Sequence, residues 1–170
     1  MKSRLELLAS FLSDEKNEEA QKTLEEIIKQ RKNIKKDQNV IDRSLTVYIA
    51  GPYTPYGAGM HDAARKAHEN TLTAINIGVD VIEKGHLVYI PHFSHFMHLY
   101  GKKALSYKYY TEADIEWLNM CDSILYYNHS IGASKGADNE LRIAIQNGKR
   151  IFFSVDELPV YKKAADRYKN

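Results

Sequence analysis

Leu45-Thr46-Val47-Tyr48-Ile49-Ala50, closed by Gly51-Pro52, is the stretch on which the fold turns. It is a short apolar run, rich in β-branched and aromatic residues, ending at two strong chain-breakers, and so reads as a buried strand. Outward from it toward the C-terminus the pattern alternates. Residues 61–84 carry Ala, Leu, Ile and Val at helical spacing and end at Gly85. His86-Leu87-Val88-Tyr89-Ile90 is a second strand, stopped by Pro91. Residues 112–121 suit a short helix, and Asp122-Ser123-Ile124-Leu125-Tyr126-Tyr127 a third strand. Residues 137–147 are helical up to Gly148, Arg150-Ile151-Phe152-Phe153-Ser154-Val155 is a fourth strand, and a last helix is expected from about Pro159. Strands apolar on both faces that alternate with helices indicate an α/β fold: a flavodoxin- or Rossmann-like parallel sheet of four to five strands, helices on both faces.

Toward the N-terminus the composition changes. Residues 1–44 lack Gly and Pro and are dense in Lys and Glu. Leu5, Leu8 and Leu12, then Leu24, Ile27 and Ile28, mark two amphipathic helices separated by Ser13-Asp14-Glu15-Lys16-Asn17-Glu18. Their apolar stripes are narrow and need a partner surface, either the main domain or another subunit. The expected organisation is therefore an N-terminal helical extension, 1–44, before an α/β domain, 45–170.

The bulk properties narrow the function. Of 170 residues, 44% are hydrophobic and 27% charged, enough for a core and a soluble surface. The net charge of +2 gives no broad basic face for a nucleic acid polymer. The single cysteine, Cys121, cannot form an internal disulfide and reads as a small buried hydrophobe. No run is long and apolar enough to cross a bilayer, and the amino terminus is not patterned as a signal peptide. A cytoplasmic location without membrane contact is expected.

In open parallel sheets, ligands bind beyond the carboxyl ends of the strands. Three segments leave those ends here: 51–60, 91–111 and 128–139. The second exceeds a plain connection and is expected to be a lid or binding loop. In the third, Ser134, Gly136 and the start of a helix present backbone N–H groups suited to an anion such as phosphate. Glu140 follows in what reads as the first helical turn, with Ala137, Leu141 and Ala144 toward the sheet, so its own side chain points to the crevice. An acid in that turn also complements the helix dipole. Asp114, opening Asp114-Ile115-Glu116-Trp117-Leu118, is a second acid, for which helix capping is the competing role. The two converge on one sheet edge, and paired carboxylates flanking a sugar are the usual equipment for glycosidic cleavage.

Gly51-Pro52-Tyr53-Thr54-Pro55-Tyr56-Gly57-Ala58-Gly59 lacks the G-x-G-x-x-G spacing of a dinucleotide loop, and its prolines remove N–H donors. Gly51, Pro52 and Tyr53 are instead candidate substrate contacts. His92, His95 and His98 stand three apart among Phe93, Phe96 and Tyr100. His92 and His95 are read as pocket-lining substrate contacts rather than metal ligands, since no fourth ligand is evident. No metal or cofactor is expected.

Together these residues resemble the nucleoside 2-deoxyribosyltransferase superfamily, which includes the deoxynucleoside-monophosphate N-glycosidases. The resemblance covers about residues 45–155. It rests on Val47-Tyr48-Ile49-Ala50-Gly51, on Asp114 with Trp117-Leu118, on Asp122, and on Ser134-x-Gly136-x-x-x-Glu140 followed by Ala144 and Gly148. It implies that Glu140 attacks the anomeric carbon, that Asp114 contacts sugar and base and helps protonate the leaving base, and that Tyr48 supports the nucleophile. The transferases place an acid six residues before the catalytic glutamate and the nucleotide hydrolases a serine. Ser134 therefore implies a nucleotide substrate, because a carboxylate would repel a 5′-phosphate. The hydrolases also carry an arginine in the first loop, which Gly51-Pro52-Tyr53-Thr54 lacks, leaving that charge to Lys135, Arg65 or a neighbouring subunit. Relatives complete their pockets across subunits, which implies a homo-oligomer. The expected activity is cleavage of the N-glycosidic bond of a nucleoside or nucleotide, by hydrolysis or base transfer. A nucleotide-binding sensor and a nicotinamide-dinucleotide glycohydrolase are the rival readings.

Overall fold

The computed structural model describes residues 41–53, 60–103, 105–127 and 134–161. The helices expected within 1–44 lie outside these, as do residues 54–59 and 128–133 of the first and third crevice segments. Among the described residues four strands form one parallel sheet: β1 (Thr46–Ala50), β2 (Leu87–Tyr89), β3 (Ser123–Tyr126) and β4 (Arg150–Phe152), in the order β2-β1-β3-β4. Helix α1 (Met60–Glu83) connects β1 to β2. Helices α2 (Ser94–Tyr100) and α3 (Tyr107–Met120) lead from β2 to β3, and α4 (Lys135–Gln146) joins β3 to β4. The connection after β2 jumps over β1, so the winding reverses between β1 and β3. That reversal opens a crevice at their carboxyl ends.

The pleat of β1 sorts its residues between two cores. Val47 and Ile49 join Ala74 and Val81 of α1, with Leu125, Phe152 and Leu158, on one face. Tyr48 and Ala50 join Leu118 of α3 and Ala137, Leu141 and Ala144 of α4 on the other. Both faces are thus covered, as the unbroken apolar run of β1 predicts. Cys121 lies in the second of these cores and is buried. On α1 the buried positions Ala67, Thr71, Ala74, Gly78 and Val81 recur at helical spacing. The one hydroxyl among them is satisfied, since Thr71 Oγ1 donates to the carbonyl of Ala67 at 2.8 Å.

Two side-chain ties hold the amino-terminal edge of the sheet. Asp122 accepts from the N–H and hydroxyl of Thr46 at 2.9 and 3.0 Å and from Arg43, locking the starts of β1 and β3 together. The Arg43 guanidinium holds the Asp122 carboxyl well below the usual carboxylate range. Buried His86 accepts from the Leu45 N–H on Nδ1 and donates from Nε2 to the Pro159 carbonyl at 2.8 Å. Gly85, at φ 90°, makes the left-handed turn that ends α1 and delivers His86 to that position.

Three expectations about the elements need correction. Helix α3 begins at Tyr107, capped by Ser106, rather than near 112. The segment 91–111 is largely helical: it contains a 3₁₀ turn (Pro91–Phe93), α2 and the first turn of α3. Pro91, His92 and His95 pack inward, and the segment does supply a large part of the wall of the cavity at the carboxyl edge of the sheet. Helix α4 begins at Lys135, two residues early. The helix expected from about Pro159 falls almost wholly outside the described residues; up to Tyr161, the Ile41 N–H donates to the Val160 carbonyl at 3.2 Å, which draws the segment alongside residue 41.

At the carboxyl end of β1 a Cβ on Gly51 would overlap the ring of Tyr127, which follows β3. Gly51→Ala is therefore expected to lower the unfolding free energy by roughly 1–3 kcal/mol, the usual cost of overpacking. Urea unfolding measures this, and an unchanged midpoint would mean that the Tyr127 ring moves aside freely.

Candidate active site

The paired positions Tyr48↔Tyr89 of β1 and β2 put two tyrosines side by side on the face covered by α3 and α4. Their rings stack at 5.6 Å, and Tyr89 stacks on Trp117 of α3 at 4.8 Å. Each tyrosine donates to one carboxyl group. Tyr48 Oη bonds Glu140 Oε1 at 2.8 Å, and Tyr89 Oη bonds Asp114 Oδ1 at 3.0 Å. Both acids open onto one cavity of about 660 Å³ at the carboxyl edge of the sheet.

Helix registers explain why these two side chains face inward. Ala137, Leu141 and Ala144 of α4 are buried against the sheet, and Glu140 sits beside them on the cavity side. It is the sixth residue of α4 and lies in the second turn, not the first. The first-turn acid is Asp138, which accepts from Tyr126 Oη at 2.6 Å. The helix-dipole role therefore fits Asp138 better than Glu140, because that field fades within a turn. Asp114 likewise lies two turns into α3, where it caps nothing.

Burial dominates the electrostatics. Residue 140 is partly exposed toward the cavity, but its carboxyl group is enclosed by protein. Desolvation pushes it up to about 8, against the Tyr48 hydrogen bond, and the neighbouring Asp114 charge adds to the rise. Asp114 is pushed up to about 6 by burial, opposed by its bond from Tyr89. Both carboxyls resist ionisation, Glu140 more than Asp114, so the pair keeps its last proton on Glu140 at rest. Tyr48 is itself raised well above its ordinary value by burial and by Glu140, so it stays a donor.

The remaining candidates fall into two groups. Gly51, Tyr53, His92, Ser134 and Gly136 line the cavity with the two acids. Ser134 caps α4 by accepting from the Ala137 N–H, which leaves its own O–H to donate. Gly136 has open space where a Cβ would stand. Pro52 and His95 are not on the wall. The Pro52 carbonyl accepts from Nε2 of His92 at 3.0 Å, while His95 stands behind Tyr53, with Nδ1 2.9 Å from its hydroxyl. Burial lowers the pKa of both histidines. Among the described residues no three His, Cys, Asp or Glu side chains are placed to share a metal ion. Arg65 projects from α1 into ion pairs with Asp62 and Glu69, whereas Lys135 lines the cavity.

Several wall residues escaped the sequence reading: Leu105, Tyr107, Tyr110 and Thr111, whereas His98, singled out with His92 and His95, does line the cavity. The signal was present in Tyr107, Tyr110, Thr111 and Asp114, which share one face of a helix by spacing. It was hidden by starting that helix five residues late. Tyr89 and Tyr127 read in the sequence only as strand residues.

A family model described as a domain of unknown function (DUF4406) matches residues 45–153, and the chain belongs to that family. No curated protein matches it.

The raised carboxyls make stability depend on pH. Folded Glu140 keeps its proton where the unfolded side chain, at 4.5, has lost it, so stability falls as pH rises from 4.5 toward about 8. Glu140→Gln abolishes that fall while keeping a partner for Tyr48. Relative to the parent, the variant is expected to gain roughly 1–3 kcal/mol at alkaline pH and almost nothing in mild acid. Denaturant unfolding across that range reads it, and a variant destabilised equally at every pH would contradict the burial account.

Proposed function

We propose that this member of the family cleaves the N-glycosidic bond of a (deoxy)nucleoside 5′-monophosphate or nucleoside, with Glu140 as nucleophile and Asp114 as proton donor. The observation that carries this reading is the pair of buried, tyrosine-bonded carboxyls on one cavity. The cavity volume suits a ligand of nucleotide size. Tyr53, Tyr107 and Tyr110 offer aromatic surface to a base. The amino-terminal turn of α4, with Ser134, Lys135 and Gly136, offers donors and positive charge to a phosphate. The resemblance to the nucleoside 2-deoxyribosyltransferase superfamily points the same way.

In the first step a Glu140 oxygen attacks C1′, the C1′–N bond pair leaves with the base, and Asp114 gives the base its proton. In the second, water or another base attacks C1′ of the glycosyl ester, loses its proton to Asp114 and releases Glu140. Positive charge developing at C1′ favours ionised Glu140 in the transition state, which offsets the burial that protonates it at rest. Tyr48 donates to the same carboxylate and steadies its orientation.

The reading also includes a cytoplasmic homo-oligomer acting on a small molecule, and no described helix is long and apolar enough to cross a membrane. Exposed Met97, Leu99, Tyr100 and Tyr107 near the cavity mouth, with the stripes expected within 1–44, give subunits apolar surface to share. Light scattering at micromolar concentration is expected to return more than one chain mass, and a clean monomer would remove this part of the reading.

Incubation with a nucleotide panel, followed by chromatography of free base, tests the activity. Glu140→Gln is expected to lower base release by about a thousand-fold or more, as loss of a nucleophile does. Ligand affinity should change little. Because Glu140 must be ionised and Asp114 protonated, the rate should peak between their pKa values of about 6 and about 8 and fall on either side. Retained turnover in Glu140→Gln would remove the assignment, and a parent that binds nucleotides without releasing base would be a sensor.

A further inference from the structure

Behind the cavity wall a chain of hydrogen bonds runs outward through side chains that the cleavage chemistry leaves unused. Tyr53 lines the cavity, and its hydroxyl is 2.9 Å from Nδ1 of His95. Nε2 of His95 is 3.3 Å from Nδ1 of His68, and His68 is exposed on α1. His95 itself is buried. Neighbouring side chains brace the path: Asn70 Nδ2 donates to the Tyr53 carbonyl at 2.9 Å, and Phe96 packs edge-on against both imidazoles.

We propose that Tyr53, His95 and His68 form a proton relay between the cavity and bulk solvent. Each group is both donor and acceptor, so the chain has two self-consistent states. In one, His68 Nδ1–H points to His95 Nε2, His95 Nδ1–H points to the Tyr53 oxygen, and the Tyr53 proton faces the cavity. A solvent proton then lands on Nε2 of His68, each N–H or O–H bond along the chain breaks as the next forms, and the Tyr53 proton passes to an acceptor in the cavity. The chain is left in its second state, with Tyr53 donating to His95 and His95 to His68. An outward transfer restores the first state, so one proton in and one proton out complete a cycle without a ring flip.

This rests on the glycosidic reading for its purpose. There the Asp114–Glu140 pair must hold one proton when the ligand is in place, and a ligand that fills the cavity displaces the water through which the pair would otherwise equilibrate. Tyr53 is coupled electrostatically to Tyr110, which lies one helical turn before Asp114 on α3. The groups around His95 keep it neutral and able to switch tautomer. Tyr53 from the β1 loop, His68 from α1, His92 from the 3₁₀ turn and His98 from its own helix surround it, and no carboxylate contributes to its shift.

The relay is tested without turnover. In nitrogen-15 NMR of the whole chain, exchange of the His95 ring N–H with water is expected to slow at least several-fold in His68→Gln, which accepts a hydrogen bond but passes no proton. Added imidazole should restore it. His68 is exposed, so this variant should fold. If the chain is only a packing tie, losing His68 loosens it, and exchange should quicken or stay the same, with no effect of imidazole; either result overturns the relay. Base release from the nucleotide panel is then compared in the same proteins. A parent without base release rejects the glycosidic reading and leaves the exchange result standing by itself. With an active parent, a His68→Gln rate that falls and recovers with imidazole supports the role in turnover, and an unchanged rate rejects it.

Discussion

The site depends on one register. β1 and β2 pair so that Tyr48 lies opposite Tyr89, and adjacent parallel strands fix that separation at the hydrogen-bonding distance of the sheet. Each ring ends at a carboxyl oxygen, so the sheet's own spacing is carried to Glu140 and Asp114 on two different helices. A one-residue slip would turn Tyr89 to the α1 face and leave Asp114 without its donor. The tie at the opposite edge between Leu45 and His86 holds that register from the other end of the strands.

Keeping the two acids near protein and away from bulk water has an energetic cost. Burial raises the free energy of the ionised state of both carboxyls, and one tyrosine bond to each, among the described residues, opposes that effect. The rest of the domain offsets it with two apolar layers, one on each side of the sheet. The same burial separates the two acids in acidity, with Glu140 holding its proton more tightly than Asp114. A nearby acid that is also buried, Asp138, sits in the first turn of α4 and bonds Tyr126. Position along one helix thus distinguishes an acid that suits the helix terminus from an acid that faces a cavity.

Much of the architecture was legible because its signals are local. The apolar run of β1, the helical spacing of α1 with Gly85 at its end, and the glycine after α4 each follow from the conformational preferences of a few neighbouring residues. Glu140 could be placed by its neighbours Ala137, Leu141 and Ala144, whose small or apolar side chains had to meet the sheet. Element ends were less legible. Ser106 is an ordinary N-cap residue in a polar stretch, and nothing local separates it from other possible starts, so α3 was begun too late and Tyr107 and Tyr110 were missed. Segment 91–111 looked like a lid or binding loop because it exceeds a plain connection, yet His92 and His95 within it are buried.

The amino-acid sequence by itself determined the α/β class, the four strands and the crevice edge at which the acids gather, since periodicity and chain-breakers act over a few residues. Only the tertiary structure decided which groups meet: Tyr48 with Glu140, Tyr89 with Asp114, and Tyr53 with His95 and His68. Those partners are 92, 25, 42 and 27 residues apart in the chain. Strand register and helix packing bring them together, and the desolvation that shifts the two carboxyls arises only once both layers have closed over the sheet.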